Sequence, residues 1–186
     1  MSTISHSPVL ETCLLNREEI NNCLAYINSD AFVYSVASCP FSKDKKEIAF
    51  ATGDWFFDEL LVEKQPHIEA ILNTALLPTY SFLRSYAPNS VLPPHLDIPA
   101  CEVTVTINLE HTGSKNILYV ETETETRQIQ QSPGEAVIYN GYRYLHWRDP
   151  FSADQSSVQL MLHYVKADGP NTAFKFRQRP SLGIRL

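Results

Sequence analysis

Apolar positions recur along this chain with two different periods, and the switch between them divides it. Ile20, Cys23, Leu24 and Ile27 return at the three- and four-residue spacing of one helix face. Asn16 ahead of Arg17-Glu18-Glu19 reads as a capping box, with the Asn side chain accepting from the N3 amide and Glu19 reaching back. An amphipathic helix over Arg17 to Ile27 is predicted, ended by Asn28-Ser29-Asp30. Ala31 to Ser38 then alternates, with Phe32, Tyr34 and Val36 on one side, and reads as a strand. After Pro40, Ser42-Lys43-Asp44-Lys45-Lys46 reads as a solvated loop, a binding role for its lysines being the alternative. Trp55-Phe56-Phe57 and Leu60-Leu61-Val62 are apolar clusters without a clear period. Pro66 suits the first turn of a helix burying Ile68, Ile71, Leu72 and Ala75, with His67 at the surface and Pro78 as the stop.

From Thr79 onward the pattern is one of short strands cut by turns. Ser81 to Tyr86, Cys101 to Leu109, Asn116 to Glu121, Arg127 to Gln131, Ala136 to Tyr139 and Val158 to Val165 all read as strands. Six strands in so short a stretch imply a double-sheet jelly roll or a barrel. The second of them alternates strictly: Cys101, Val103, Val105, Ile107 and Leu109 on one side, Glu102, Thr104, Thr106 and Asn108 on the other. Its polar side faces either a wet cavity or solvent. Glu121-Thr-Glu-Thr-Glu-Thr126 reads as an acidic edge that discourages pairing with a second copy, a cation site being the alternative.

Composition narrows the function classes. With 186 residues, 44% hydrophobic and 19% charged, the chain suits one domain: a support region (1–78), a β-rich core (79–166) and a C-terminal extension (167–186). A formal charge of −6 offers no broad basic surface for a phosphate backbone, so nucleic acid is not an expected partner. Cys13, Cys23, Cys39 and Cys101 form no CxxC pair and read as reduced, partly buried thiols, Cys13 and Cys23 lying in or near the first helix. The beginning of the chain lacks a signal-like apolar run, and no stretch is long and apolar enough to span a bilayer. A cytoplasmic protein is expected, with no membrane partner.

The residues that carry chemistry are His95 and Asp97, two apart in Leu92-Pro-Pro-His95-Leu-Asp97, and the distant His146 in Leu145-His146-Trp147-Arg148. Two imidazoles and one carboxylate are the donor set that holds non-haem Fe(II) on one face and leaves positions open. Taken singly, His95 after Pro-Pro reads better as an exposed loop residue and His146 beside Trp147 as an ordinary half-buried imidazole; together, in this context, they read as ligands.

Two blocks of the chain resemble the Fe(II)- and 2-oxoglutarate-dependent oxygenases, in particular the prolyl 4-hydroxylase-like group. The first runs Tyr86-Ala-Pro88-Asn89-Ser-Val-Leu92-Pro-Pro-His95-Leu-Asp97. Here Pro88 presets one centre of a type II turn, and Asn89 tolerates the positive φ of the other, where the family usually places Gly. The second runs Ser132-Pro133-Gly134 through Tyr139-Asn-Gly141 to His146-Trp-Arg148. The resemblance covers roughly Thr79 to Lys166. It implies an α+β, mainly β, double-stranded β-helix (jelly roll) braced by N-terminal helices. It also implies an enzyme, a dioxygenase using Fe(II), 2-oxoglutarate and O2, with His95, Asp97 and His146 as catalytic metal ligands. Because related halogenases carry a small residue where Asp97 stands, hydroxylation or another C–H oxidation is implied rather than halogenation. A small-molecule substrate is favoured over a peptide side chain. The alternative is a cupin-like metal- or ligand-binding jelly roll without oxygenase turnover.

One feature departs from the family pattern. The Arg or Lys that usually meets the far carboxylate of 2-oxoglutarate about ten residues after the distal histidine is replaced here by Ser156, and Ser157 to Val165 contains no Lys or Arg. Arg148 ranks first as a replacement and Arg84 second, with Tyr86 and Gln159 as further cosubstrate contacts. A salt bridge from Arg148 to Asp149 is the competing reading. His163 shares the Gln159 face and reads as a core histidine or a cavity residue. Glu102 and Arg143 are candidate supporting groups. Lys175 to Pro180 reads as a packing extension or, alternatively, an anion-binding lid.

Overall fold

The computed structural model describes residues 7–33, 35–38, 47–113 and 116–183. Among the described residues eleven strands form two antiparallel sheets: β1 (Val9–Cys13), β2 (Ser35–Ser38), β3 (Glu47–Thr52), β4 (Leu76–Tyr86), β5 (Leu92–His95), β6 (Val103–His111), β7 (Ile117–Glu121), β8 (Thr126–Gln130), β9 (Glu135–Tyr139), β10 (Leu145–Arg148) and β11 (Ser157–Lys166). The larger sheet runs β1-β9-β6-β11-β4-β3-β2 and the smaller β5-β10-β7-β8. This is the expected double-stranded β-helix. Among the described residues two helices accompany it, α1 (Arg17–Ile27) and α2 (Trp55–Leu72), with a short 3₁₀ segment at Pro99–Cys101 and a turn-rich stretch at Thr172–Gln178 whose backbone leaves helical geometry from Lys175 on.

The helices explain one face of the large sheet. Helix α1 carries the expected capping box: Asn16 Oδ1 accepts from Glu18 and Glu19 N, and Glu19 accepts from Asn16 N at 2.8 Å. Its Cys23 and Ile27 join Phe57, Leu61 and Ile68 of α2 in one core with Val103, Val105, Ile107 and Leu109 of β6 and Leu160 and Leu162 of β11. Alternation on β6 therefore divides two interiors. Its apolar side packs in this core, and its polar side, with Thr104, Thr106 and Asn108 also buried, faces the space between the sheets. Of the two readings left open for that strand, the cavity is the one that forms.

Several local expectations change. The clusters at Trp55–Val62 and the stretch after Pro66 belong to one continuous helix, capped by Asp54, whose side chain accepts from Phe56 N at 3.1 Å. Pro66 lies inside it on the exposed side, where water can reach the carbonyl that loses its amide partner. His67 is exposed, but within the helix body. The helix stops at Asn73, a left-handed cap with φ 48°, before Pro78 is reached. Pro78 instead sits inside β4, beside an irregularity in the β11 ladder and beyond the reach of β3, so its missing N–H interrupts little.

Ala31 to Val33 is turn and coil, with Phe32 buried, and only Ser35–Ser38 is strand; Tyr34, Cys39, Pro40 and the Ser42–Lys46 loop lie outside the described residues. The acidic Glu121–Thr126 stretch is a hairpin turn rather than an edge strand. Thr122 Oγ1 donates to Glu125 O at 3.0 Å and accepts from Glu125 N at 3.2 Å, a local bonding choice that competes with the ladder. Cys13 ends β1 just ahead of α1 and is exposed rather than partly buried, whereas Cys23, within α1, and Cys101 are buried; all three are free thiols.

Candidate metal centre and cavity

The small sheet's edge positions the first histidine. Strand β5 is Leu92-Pro-Pro-His95, and two prolines are tolerable there because only β10 pairs with it. Ahead of it, Asn89 takes φ 64° and Ser90 N donates to Ala87 O at 3.0 Å, the predicted turn with Asn at the positive-φ position. In the β5–β10 register His95 stands directly opposite His146, and their rings lie 4.2 Å apart between centroids. Asp97 follows in the loop, held by its own N donating to Gly141 O at 2.9 Å.

Asp97 sits between the two rings. Its Oδ1 is 3.5 Å from His95 Nε2 and its Oδ2 is 3.6 Å from His146 Nε2. In each ring the other nitrogen meets a carbonyl, Pro93 O for His95 at 2.9 Å and Tyr144 O for His146 at 3.0 Å. A carbonyl only accepts, so both Nδ1 atoms carry a proton; in the neutral rings both Nε2 lone pairs face the carboxylate, and when His95 is protonated its Nε2 donates to Asp97 instead. Ligands in a cis arrangement on a common ion at about 2.1 Å stand about 3 Å apart, so small movements of these three side chains would close the set on a transition metal.

Space for Asp97 comes from a missing side chain. A Cβ on Gly141 would collide with Asp97 Oδ2 and Thr104 Oγ1. Electrostatics then favour the ionised acid. Burial works against charge on Asp97, but the hydrogen bond to His95 and the fields of His146 and His163 hold its carboxyl below the usual range. Burial pushes the His146 pKa down more than Asp97 raises it, whereas for His95, less buried, Asp97 and the Pro93 carbonyl prevail and raise it. A second set of donors, Asp97, Cys101 and His163, also lies within 4.8 Å of one another.

The triad opens into a cavity of about 510 Å³ between the sheets, in the size range of small-molecule sites. Arg84, Tyr86, Arg148 and Gln159, all anticipated as cosubstrate contacts, line it. Arg148 is buried and bound by neutral amides: Nη1 donates to Asn116 Oδ1 at 2.9 Å, and Nη2 to Gln131 Oε1 at 3.0 Å and Gln159 Oε1 at 3.1 Å. The Asp149 pairing does not form, since Asp149 accepts from Tyr119 Oη at 2.6 Å and, among the described residues, no carboxylate is bound to Arg148. Arg84 stacks on Tyr86, its Cζ 4.6 Å from the ring centroid, and its buried Nε has no hydrogen-bond partner. Two guanidiniums thus flank Tyr86, Arg148 being 5.9 Å from the same ring.

Other expectations resolve less favourably for function. Glu102 accepts from Lys166 N at 3.2 Å and Arg143 pairs with Glu123, and neither lines this cavity. His163 does line it, buried, with Nδ1 3.2 Å from Thr104 Oγ1, so both of its readings hold at once. Asn116 and Gln131, which orient Arg148, escaped the sequence reading because isolated amides carry no spacing signal. The Lys175 to Pro180 stretch packs against the fold through Arg179, and its Arg177 also lines the cavity.

Solved structures share this architecture. An oxidoreductase of the 2OG-Fe(II) oxygenase family from Burkholderia pseudomallei is similar over 87% of each chain, with a TM-score of 0.70 and 12% identity. A prolyl-4-hydroxylase from Pseudomonas putida matches over 84% of this chain and 91% of its own, at TM-score 0.63 and 12% identity. The chain has the fold of the 2-oxoglutarate- and Fe(II)-dependent oxygenases. Streptomyces hygroscopicus HygX, whose structure contains nickel, 2-oxoglutarate and hygromycin B, matches over 87% of this chain and 84% of its own, at TM-score 0.66 and 10% identity. No protein-family model and no curated protein sequence matches the chain. Among the described residues no helix is long and apolar enough to cross a membrane.

Proposed function

We propose that this protein is a Fe(II)- and 2-oxoglutarate-dependent dioxygenase that oxidises, most directly by hydroxylation, a C–H bond of a small molecule. The observation that carries this reading is the cross-strand pair His95–His146 with Asp97 between the rings and both Nε2 lone pairs turned inward. Bound Fe(II) would supply the activation of O2, coupled to oxidative decarboxylation of 2-oxoglutarate. His95, Asp97 and His146 would hold it on one side, leaving the cavity side free. Asp97 fills the position that must be small for a halide to enter, which supports hydroxylation over halogenation.

The remaining residues bind and orient. Arg148 lies two residues beyond His146 on β10, about 7 Å along the strand, a span suited to a five-carbon dicarboxylate. With its forks held by Asn116, Gln131 and Gln159, Arg148 supplies a fixed positive field, while Arg84, which lines the cavity and is bound to no carboxylate among the described residues, offers its guanidinium to the distal carboxylate. Two neighbouring guanidiniums without an acid repel each other, and a bound dicarboxylate would relieve that cost. Tyr86 stands between them as a hydroxyl donor. Leu92, Leu118 and Phe82 of the cavity wall limit the water that could intercept the oxidant. Small-molecule chemistry is supported by HygX, which holds hygromycin B within the same fold. The free thiols support a reducing, cytoplasmic setting.

The test is an anaerobic Fe(II) titration followed by 2-oxoglutarate. Formation of the weak visible charge-transfer band of a chelated 2-oxo acid is expected. Iron binding without that band, and without succinate release in air, would instead identify a metal-binding jelly roll with no oxygenase turnover.

A further inference from the structure

The cavity contains a third guanidinium that the cosubstrate does not use. Arg84 and Arg148 share one end with Tyr86, whereas Arg177 lies at the other, over the ring of Tyr80, with its Cζ 4.5 Å from the centroid. Tyr80 in turn packs against His163, their ring centroids 4.6 Å apart, and its Oη is 3.1 Å from Cys101 Sγ, beside Asp97. Arg177 is therefore on the metal side. Among the described residues no carboxylate pairs with it.

The tail that carries Arg177 is fastened on both sides of it. Phe174 packs with Tyr80, Ala100 and Cys101. Arg179 is buried, 3.1 Å from Asp58 Oδ2 and 3.1 Å from Thr79 O. Between these anchors Phe176, Arg177 and Gln178 take φ values of 55°, 51° and 62°, the left-handed region that side-chain-bearing residues disfavour. The backbone shape that results turns Arg177 into the cavity. Across the mouth, Leu96 and Ile98, on either side of Asp97, are 51% and 44% exposed and line the same space, and Phe50 and Phe82 form a ring pair on its wall. An uncompensated cation beside exposed apolar surface matches an anion attached to an apolar body.

We propose that the primary substrate is a small carboxylic acid with an apolar, ring-sized body, its carboxylate held by Arg177 and its body lying on Leu96, Ile98 and Phe82. This deepens the oxygenase reading, on which only the fate of the acid depends. Its binding does not. The test is calorimetric titration of protein loaded with Mn(II) and N-oxalylglycine, which fills the Arg84–Arg148 end, using 3-phenylpropionate and its neutral amide. The acid is expected to bind at least about tenfold more tightly than the amide. In Arg177→Asn, whose new side chain tolerates the left-handed backbone, the two should bind alike, and Arg177→Lys should restore much of the difference. Equal binding of acid and amide in the wild type, no binding of the acid, or a preference that survives in Arg177→Asn would overturn the proposal. So would an Arg177→Asn variant that weakens acid and amide equally, since that marks a purely structural residue. Should the protein fail to load Mn(II) and N-oxalylglycine, the oxygenase reading fails, and the same acid–amide comparison on the metal-free protein still decides the role of Arg177.

Discussion

The two ends of the cavity are built in opposite ways. At the metal end, three side chains from an edge strand, the loop after it and the neighbouring strand meet with few restraints beyond two carbonyls and the space left by Gly141. At the arginine end, Arg148 is buried and its donors are taken up by three amides from three further segments. The difference teaches where function and stability separate. The metal end can lose a residue and keep its fold, because a ligand set awaiting an ion contributes little to folding without it. The arginine end cannot, because removing a buried cation leaves its acceptors stranded.

Asp97→Ala tests the metal end at full strength. It should weaken Fe(II) binding by about a hundredfold or more and abolish turnover, while the metal-free protein melts close to the wild type; titration and thermal melting measure both. Gly141→Ala is the milder form, since its methyl group displaces the carboxylate without removing it. Undiminished iron binding in Asp97→Ala would break the comparison outright. Arg148→Ala should do the reverse and destabilise the protein by about 1–3 kcal/mol in denaturant unfolding, with or without metal, because the amides of Asn116, Gln131 and Gln159 lose their donor. A small loss there would show that the amides rehydrate or re-pair easily.

Acid should find the metal side first. Burial lowers the pKa of folded His163 to about 4, against 6.5 as its reference value, so the unfolded chain takes up the proton before the folded one. The stabilisation is complete above pH 6.5 and is lost as pH falls toward 4, by about 3 kcal/mol. His146, lowered in the same direction, adds to it. Melting of the metal-free protein across this window should show the decline, and His163→Gln should flatten it. The smallest effect is expected from Arg84→Met, which removes a stacked, partly accessible cation. Its stability should change by less than about 1 kcal/mol, while the KM for 2-oxoglutarate rises roughly tenfold. If KM is unchanged, Arg148 alone carries the cosubstrate's charge.

Much of this was written in the order of residues. The capping box at Asn16 and Glu19, the Pro88-Asn89 turn and the alternation of β6 depend on local backbone chemistry, and each is legible because its partners lie within a few positions. The HxD pair and a later histidine were legible as a candidate donor set by residue type and order. Less legible were the prolines: Pro66 and Pro78 look like helix punctuation, yet the first is carried on a solvent-facing helix side and the second in a strand with an irregular ladder.

The amino-acid order by itself determined the first helix and its cap, the Pro88-Asn89 turn, the class of fold and the donor types available for a metal. Only the tertiary structure decided that His95 faces His146 across two strands, that the polar side of β6 looks inward, and that Asn116, Gln131 and Gln159 rather than Asp149 surround Arg148. The same holds for Arg177, which reaches the cavity because Asp58 and Arg179 pin the tail that carries it. The physical reason is range. Turns and helix caps are settled by hydrogen bonds between near neighbours, whereas strand register and buried polar networks are settled by packing between residues that meet only after the sheets have closed.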